Sequence, residues 1–218
     1  GGLKLFGFSR EYDGYYENVT RGETEGRADY INFGGALSYD LTDSLNMLLT
    51  VERQERDGES PVLSYNAPTD LVCLLFGAPA NECGNDIGDS LENLVTFSDA
   101  ASTYFQDETD YTLEMNWDVS EDATITSITA FRDLKEEANQ DFDATSVPFF
   151  FTNRPQEYDQ ISQELRLAAT LTDRIDAVAG FYFLDSYYKL TQTTDSLLFA
   201  DATLGPGQQL SVAVQDTR

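Results

Sequence analysis

Residues 111–119, YTLEMNWDV, alternate without a fault. Tyr111, Leu113, Met115, Trp117 and Val119 are apolar, and Thr112, Glu114, Asn116 and Asp118 between them are polar. A strand sends successive side chains to opposite faces, so this stretch has one oily face and one wet face. The chain must then supply, or find, something to cover the oil. The same pattern recurs along the sequence. Strands are expected over about 2–10, 28–40, 44–56, 109–119, 123–134, 158–170, 174–187 and 210–218. Within them Ile31, Phe33, Leu37 and Tyr39 share a face, as do Leu45, Met47, Leu49 and Val51, with Leu48 the exception. Ile161, Leu165 and Leu167 form another such set, and so do Ile175, Ala177, Ala179, Phe181 and Phe183. These strands run roughly 9–13 residues, against about 5–6 in ordinary globular sheets. A tilted strand needs about 9–11 residues to cross a bilayer.

The connections fall into two kinds. YDLTDSL (39–45), WDVSEDA (117–123) and ATLTDRI (169–175) are short and alike: an apolar residue, then Ser or Thr, then Asp or Glu, then a return strand. Short polar side chains bond the local backbone, which suits a tight turn. The connections over 11–27, 57–108, 135–157 and 188–209 are long, and the two kinds alternate. That asymmetry belongs to transmembrane barrels, with short periplasmic turns and long extracellular loops. Tyr39 and Trp117 stand two residues before the apolar residue of their turns, where an interfacial aromatic girdle would lie. The expectation is an all-β, antiparallel, up-and-down transmembrane β-barrel segment of about eight strands. Two other readings stay open: a passive porin or small closed barrel, and a soluble secreted β-sandwich, a binding or adhesion module whose oily face meets a second sheet.

Composition narrows function. Lys and Arg number 13 and Asp and Glu 39, for a net charge of −26. Such a chain repels phosphate backbones, so nucleic acid is not an expected partner. Histidine is absent, which removes the commonest general base and metal ligand. No catalytic set is legible, and the chain is not expected to be an enzyme. There is no apolar run long enough for a transmembrane helix. The start, GGLKLFGFSR, lies already within a strand pattern and reads as a cut through a longer protein. Residues 57–110 hold eleven acids and no Lys or Arg. Cys73 and Cys83, the two cysteines, lie in this loop. In an oxidising compartment they are expected to pair, worth roughly 3 kcal/mol in a chain-entropy account. Two cysteines without histidine make a poor zinc site.

Several stretches resemble the barrel domain of TonB-dependent receptors. FSREYDGYYENVTRGE (8–23) is similar to the end of an early barrel strand and the first outer loop, where D-G-[YF]-x-x-N follows an Arg-bearing strand. Residues 38–58 and 123–134 resemble the family too, and SQELRL with the turn and strand that follow it (161–186) is the most specific match. The resemblance implies part of a 22-stranded outer-membrane barrel, from about the second to the ninth strand. Such a barrel is plugged by an N-terminal domain and driven by TonB. It takes up scarce nutrients such as ferric siderophores, haem, cobalamin or glycans. A ferric siderophore or similar iron complex is the first expectation. The sequence contains no plug domain or TonB-contacting box, and it stops at Arg218 without the usual terminal aromatic residue. The implied partners are the nutrient complex, outer-membrane lipid and lipopolysaccharide, and TonB through the missing plug. The implied location is the bacterial outer membrane. No cofactor is implied.

Transport is binding and release, so contact residues are sought. SVPFFFTNRP (146–155) sets Phe149, Phe150 and Phe151 beside Arg154 in an expected loop, and Tyr104 and Phe105 stand in a similar one. Exposed aromatic clusters of this kind mark contact sites. The plainer reading is that they pin loops to the barrel rim. DLKEEANQDFD (133–143) offers Asp133, Asn139, Asp141 and Asp143 as oxygen ligands for calcium. It lacks the Gly and closing Glu of an EF-hand loop, so it reads as a solvated loop and no metal ligand set is assigned. Glu164 and Arg166 are expected to form an ion pair on the inner wall or to contact the plug, and not to touch ligand. Acidic loops near lipopolysaccharide raise bridging by calcium or magnesium as a hypothesis.

Overall fold

The structure, a computed structural model, describes residues 1–63, 77–79, 82, 94–148, 150–196 and 209–217. The strands are β1 (Gly2–Tyr12), β2 (Tyr16–Asn18), β3 (Glu23–Glu25), β4 (Ala28–Thr42), β5 (Leu45–Gly58), β6 (Val95–Thr96), β7 (Thr103–Ser120), β8 (Ala123–Asp141), β9 (Phe150–Thr172), β10 (Ile175–Ser196) and β11 (Gln209–Thr217). Eight of them make one sheet in the order β1-β4-β5-β7-β8-β9-β10-β11, each antiparallel to its neighbour. This is an up-and-down meander without a crossover. The three short strands form a separate sheet, β3-β2-β6.

The register gathers the oily residues onto one face. Leu3, Leu37, Leu49 and Leu113 are successive cross-strand partners. So are Leu45, Trp117, Ile125 and Leu167, and Val51, Tyr111, Phe131 and Ile161. The Tyr111 and Phe131 rings lie 6.2 Å apart. One row further on, the same face turns polar: Arg53, Thr109, Asp133 and Asp159. From Tyr111 to Val119 the oily stretch of β7 runs about 27 Å at ~3.4 Å per residue. Tilted by about 40°, it makes a band roughly 20 Å tall, close to the hydrocarbon span of a bilayer. Asp185, the partner of Ile161, is polar at the outer edge of this band, and three polar residues within it, Ser127, Thr129 and Gln163, bond one another. Gln163 Nε2 donates to Ser127 Oγ at 3.0 Å, and Thr129 Oγ1 donates to Gln163 Oε1 at 2.6 Å. Mutual pairing is what a polar group beside lipid requires.

The opposite face carries Thr50, Glu52, Thr112, Glu114, Asn116, Thr126, Ser162, Glu164 and Arg166, by the same register. Arg166 Nε and Glu164 Oε1 lie 2.9 Å apart, as expected of a wall ion pair. Leu48, Ile128, Val178, Tyr182 and Leu184 also fall on this face.

Burial is inverted relative to a water-soluble domain. Among the described residues the buried apolar side chains are two alanines, Ala78 and Ala144, whereas thirteen polar or charged residues are buried. Leu5 is 76% exposed, Phe181 64% and Trp117 49%. Among the described residues no second apolar layer covers the oily face, since the small sheet buries Asn18, Glu25 and Thr96. A β-sandwich is therefore set aside.

The three short connections share one device. Ser44 N donates to Thr42 Oγ1 at 3.2 Å, Asp122 N to Ser120 Oγ at 3.3 Å and Arg174 N to Thr172 Oγ1 at 3.3 Å. Each hairpin shifts register by one residue beside its turn. Adjacent turns are bonded as well: Asp118 N to Ser44 O at 2.8 Å and Thr170 N to Asp122 O at 2.9 Å.

The long connections need correction. Residues 135–141 and 150–157, expected in a loop, extend β8 and β9, and β10 continues to Ser196. Both faces of these extensions stand in water, so both carry polar residues. The period-2 signal disappears there while the backbone ladder continues.

Candidate functional site

On the polar face, above the level of the band, one row crosses five strands. Tyr30, Arg56, Gln106, Glu136 and Gln156 are successive partners on β4, β5, β7, β8 and β9. Alternation puts Tyr104 on the same face, one step further out. The Arg56 guanidinium sits 4.2 Å from the Tyr104 ring and 5.1 Å from the Tyr30 ring. Tyr104 Oη donates to Glu136 Oε2 at 2.7 Å and lies 3.1 Å from Gln106 Oε1. Gln156 Nε2 donates to Glu136 Oε1, and Tyr188 Oη donates to Gln156 Oε1 at 3.0 Å. Gln106 Nε2 in turn donates to Glu108 at 3.0 Å, and Arg132 pairs with both Glu108 and Asp110. Burial and the Glu136 carboxylate hold the Tyr104 phenol above its ordinary range. Arg56 Nε is buried without a hydrogen-bond partner. The belt offers a cation, aromatic faces, amides and carboxylates. It can bind and orient a polar, partly aromatic ligand.

Tyr104 thus stands in the belt, on β7 and not in a loop. Phe105 is one residue on, so the pleat turns it to the opposite face, 46% exposed. Phe150, Phe151 and Arg154 likewise belong to β9 and not to a loop. Phe150 and Phe151 point to opposite faces, and Phe150 meets the Phe142 ring edge-on at 5.7 Å. Arg154 is exposed opposite Ala138. The aromatic cluster read from consecutive residues is therefore divided between two faces. Phe149, Cys73 and Cys83 lie outside the described residues. Sequence reasoning missed Tyr30, Arg56, Glu136, Gln156 and Tyr188. Extending the strand parity outward past the oily stretch was the signal that finds them.

The outer rim holds a second group. Asp141 and Asp143 leave the end of β8, and Asp99 precedes β7; the three carboxylates offer oxygens within 4.8 Å of one another. Asp133 and Asn139, read with Asp141 and Asp143 as one calcium set, instead sit along β8 outside this group. Burial, then the Asp143 charge, pushes the Asp141 carboxyl up to about 7, and the same causes raise Asp99. Nearby, a polar knot ties the first long connection to the segment before β7. Asn18 Nδ2 donates to Glu25 Oε1 at 2.7 Å and to Ser98 O at 2.9 Å, and Thr96 Oγ1 donates to Glu25 Oε2 at 2.5 Å.

No protein-family profile matches this chain, and no curated protein sequence matches it. Among solved structures it is similar to the crystal structure of the ferric yersiniabactin uptake receptor FyuA from Yersinia pestis, with a TM-score of 0.61 and 18% identity. The match covers 88% of this chain and 28% of that one. At this identity the likeness is one of fold. With the meander, the oily band and the two unlike rims, it makes the fold that of part of an antiparallel, up-and-down β-barrel like the one in that receptor.

Proposed function

We propose that this chain is part of the wall and outer mouth of an outer-membrane transporter that takes up a scarce nutrient by TonB coupling, and that the nutrient is a ferric siderophore or similar iron complex. The observation that carries this reading is the two-faced sheet. Its oily face suits lipid, and its polar face carries the Tyr30–Arg56–Tyr104 belt at the end of the long connections. The likeness to a ferric-siderophore uptake receptor supports the choice of ligand class. In this reading the chain binds and releases, without covalent chemistry. The belt contacts the nutrient, and lipid and lipopolysaccharide surround the other face. Leu48, Ile128, Tyr182 and Leu184 meet a plug domain inside the barrel, and TonB acts through that plug.

The test is uptake by the full-length protein in a Gram-negative host lacking its own siderophore receptors. Growth on a ferric siderophore under iron limitation, dependent on TonB, is the expected result. Arg56→Ala is expected to weaken siderophore binding about 10-fold, since a desolvated cation–aromatic contact is worth about 1–2 kcal/mol. Uptake that persists without TonB would identify a passive channel instead.

A further inference from the structure

We propose that Asp99, Asp141 and Asp143 form a calcium site that ties the segment entering β7 to the turn leaving β8 at the outer rim.

Asp141 is 2% exposed and Asp143 5%. Asp141 Oδ1 accepts the amides of Asp143 and Ala144 at 3.0 and 3.1 Å. That leaves Asp141 Oδ2, which is buried and has no hydrogen-bond partner. A buried carboxylate oxygen without a donor is costly, and more so beside two further carboxylates. A cation among the three oxygens removes both penalties at once.

Asp143 accepts the amides of Thr145 and Phe150 at 3.0 and 2.7 Å, which hold its carboxylate in place in the turn. Arg21 is the cation that acts on Asp99, but its guanidinium already pairs with Glu23 and Glu25 and donates to the Ala100 carbonyl. A fourth acid, Glu82, is 5% exposed and accepts the Ser146 amide at 2.8 Å, within the same turn. The donors are all oxygen, which selects a hard cation. Calcium accepts an irregular shell of about 6–8 oxygens completed by water, whereas magnesium demands a near-regular octahedron. Asp99 and Asp143 stand just beyond the last β7–β8 ladder pair, Thr103 with Asn139, where the two segments leave the sheet. Asp99 N donates to Thr145 O at 3.0 Å across the same gap. A bound ion therefore fixes one outer loop against another. The inference is independent of what the barrel transports.

The test is calorimetric titration of calcium chloride into the full-length protein, chelator-stripped, in detergent and near-physiological salt. One saturable calcium site is expected. Asp99→Asn and Asp141→Asn should each weaken it at least 10-fold, while Asp173→Asn, in a turn at the opposite rim, leaves it unchanged. Heat-modifiable electrophoretic migration reports whether each variant is folded. Asp99 is only half-buried, so its variant decides the matter if Asp141→Asn misfolds. Absence of a saturable site in the wild type, unchanged calcium binding by folded Asp99→Asn, or magnesium binding with equal affinity would overturn the assignment.

Discussion

At the scale of single residues, two kinds of position do unlike work. Thr42, Ser120 and Thr172 each accept an amide two residues on, and their role was legible because the chemistry is local. Gly34 was not legible. It faces Phe6 across β1–β4. A Cβ there would meet the Phe6 ring at 2.6 Å and the Val51 carbonyl oxygen at 2.4 Å. Gly34→Ala is expected to destabilise the barrel by about 1–3 kcal/mol through overpacking. Adding Phe6→Ala should not restore stability, because the Val51 oxygen is backbone. Urea unfolding in detergent checks both, and full recovery in the double variant would show the ring alone to be the obstacle. Asp99 was equally hidden in the sequence. It stands far along the chain from Asp141 and Asp143, and spacing carries no sign of a contact that only the fold makes.

At the scale of the strand, alternation decides which substitutions matter. Leu113 lies in the oily band and Thr112 beside it faces the polar side. Leu113→Arg should cost about 2–4 kcal/mol, as for a cation at the bilayer midplane, and Thr112→Arg much less. The measurement is folding free energy in lipid vesicles, and equal costs would mean that lipid does not cover this face. The same alternation explains how far the strands could be read. Where one face meets oil and the other water, as over 109–119 in β7, the boundaries are visible. Beyond Tyr111 the two faces are alike in polarity, and residues 103–108 read as loop. The ladder nevertheless continues, since backbone hydrogen bonding does not depend on which side chains are oily. Tyr104, Phe150, Phe151 and Arg154 read as loop residues for this reason.

At the scale of the whole molecule, charge and cover govern behaviour. A net charge of −26 opposes compaction. Raising sodium chloride from about 0.02 to 0.2 M, which shortens the screening length from roughly 20 to 7 Å, should stabilise the folded protein in neutral detergent by on the order of 1 kcal/mol. A urea midpoint that does not move with salt would show the acids to be already compensated. Without detergent or lipid the oily band has no cover, and the chain is expected to aggregate. Alternation, strand length and the repeated Ser/Thr turns determined, from sequence alone, an antiparallel meander with one greasy face and one rim of tight turns, because those signals act between residues close in the chain. Only the tertiary structure decided the Tyr30–Arg56–Tyr104 belt and the meeting of Asp99 with Asp141 and Asp143. Those depend on the register between strands distant in sequence, which pairing across the whole sheet sets.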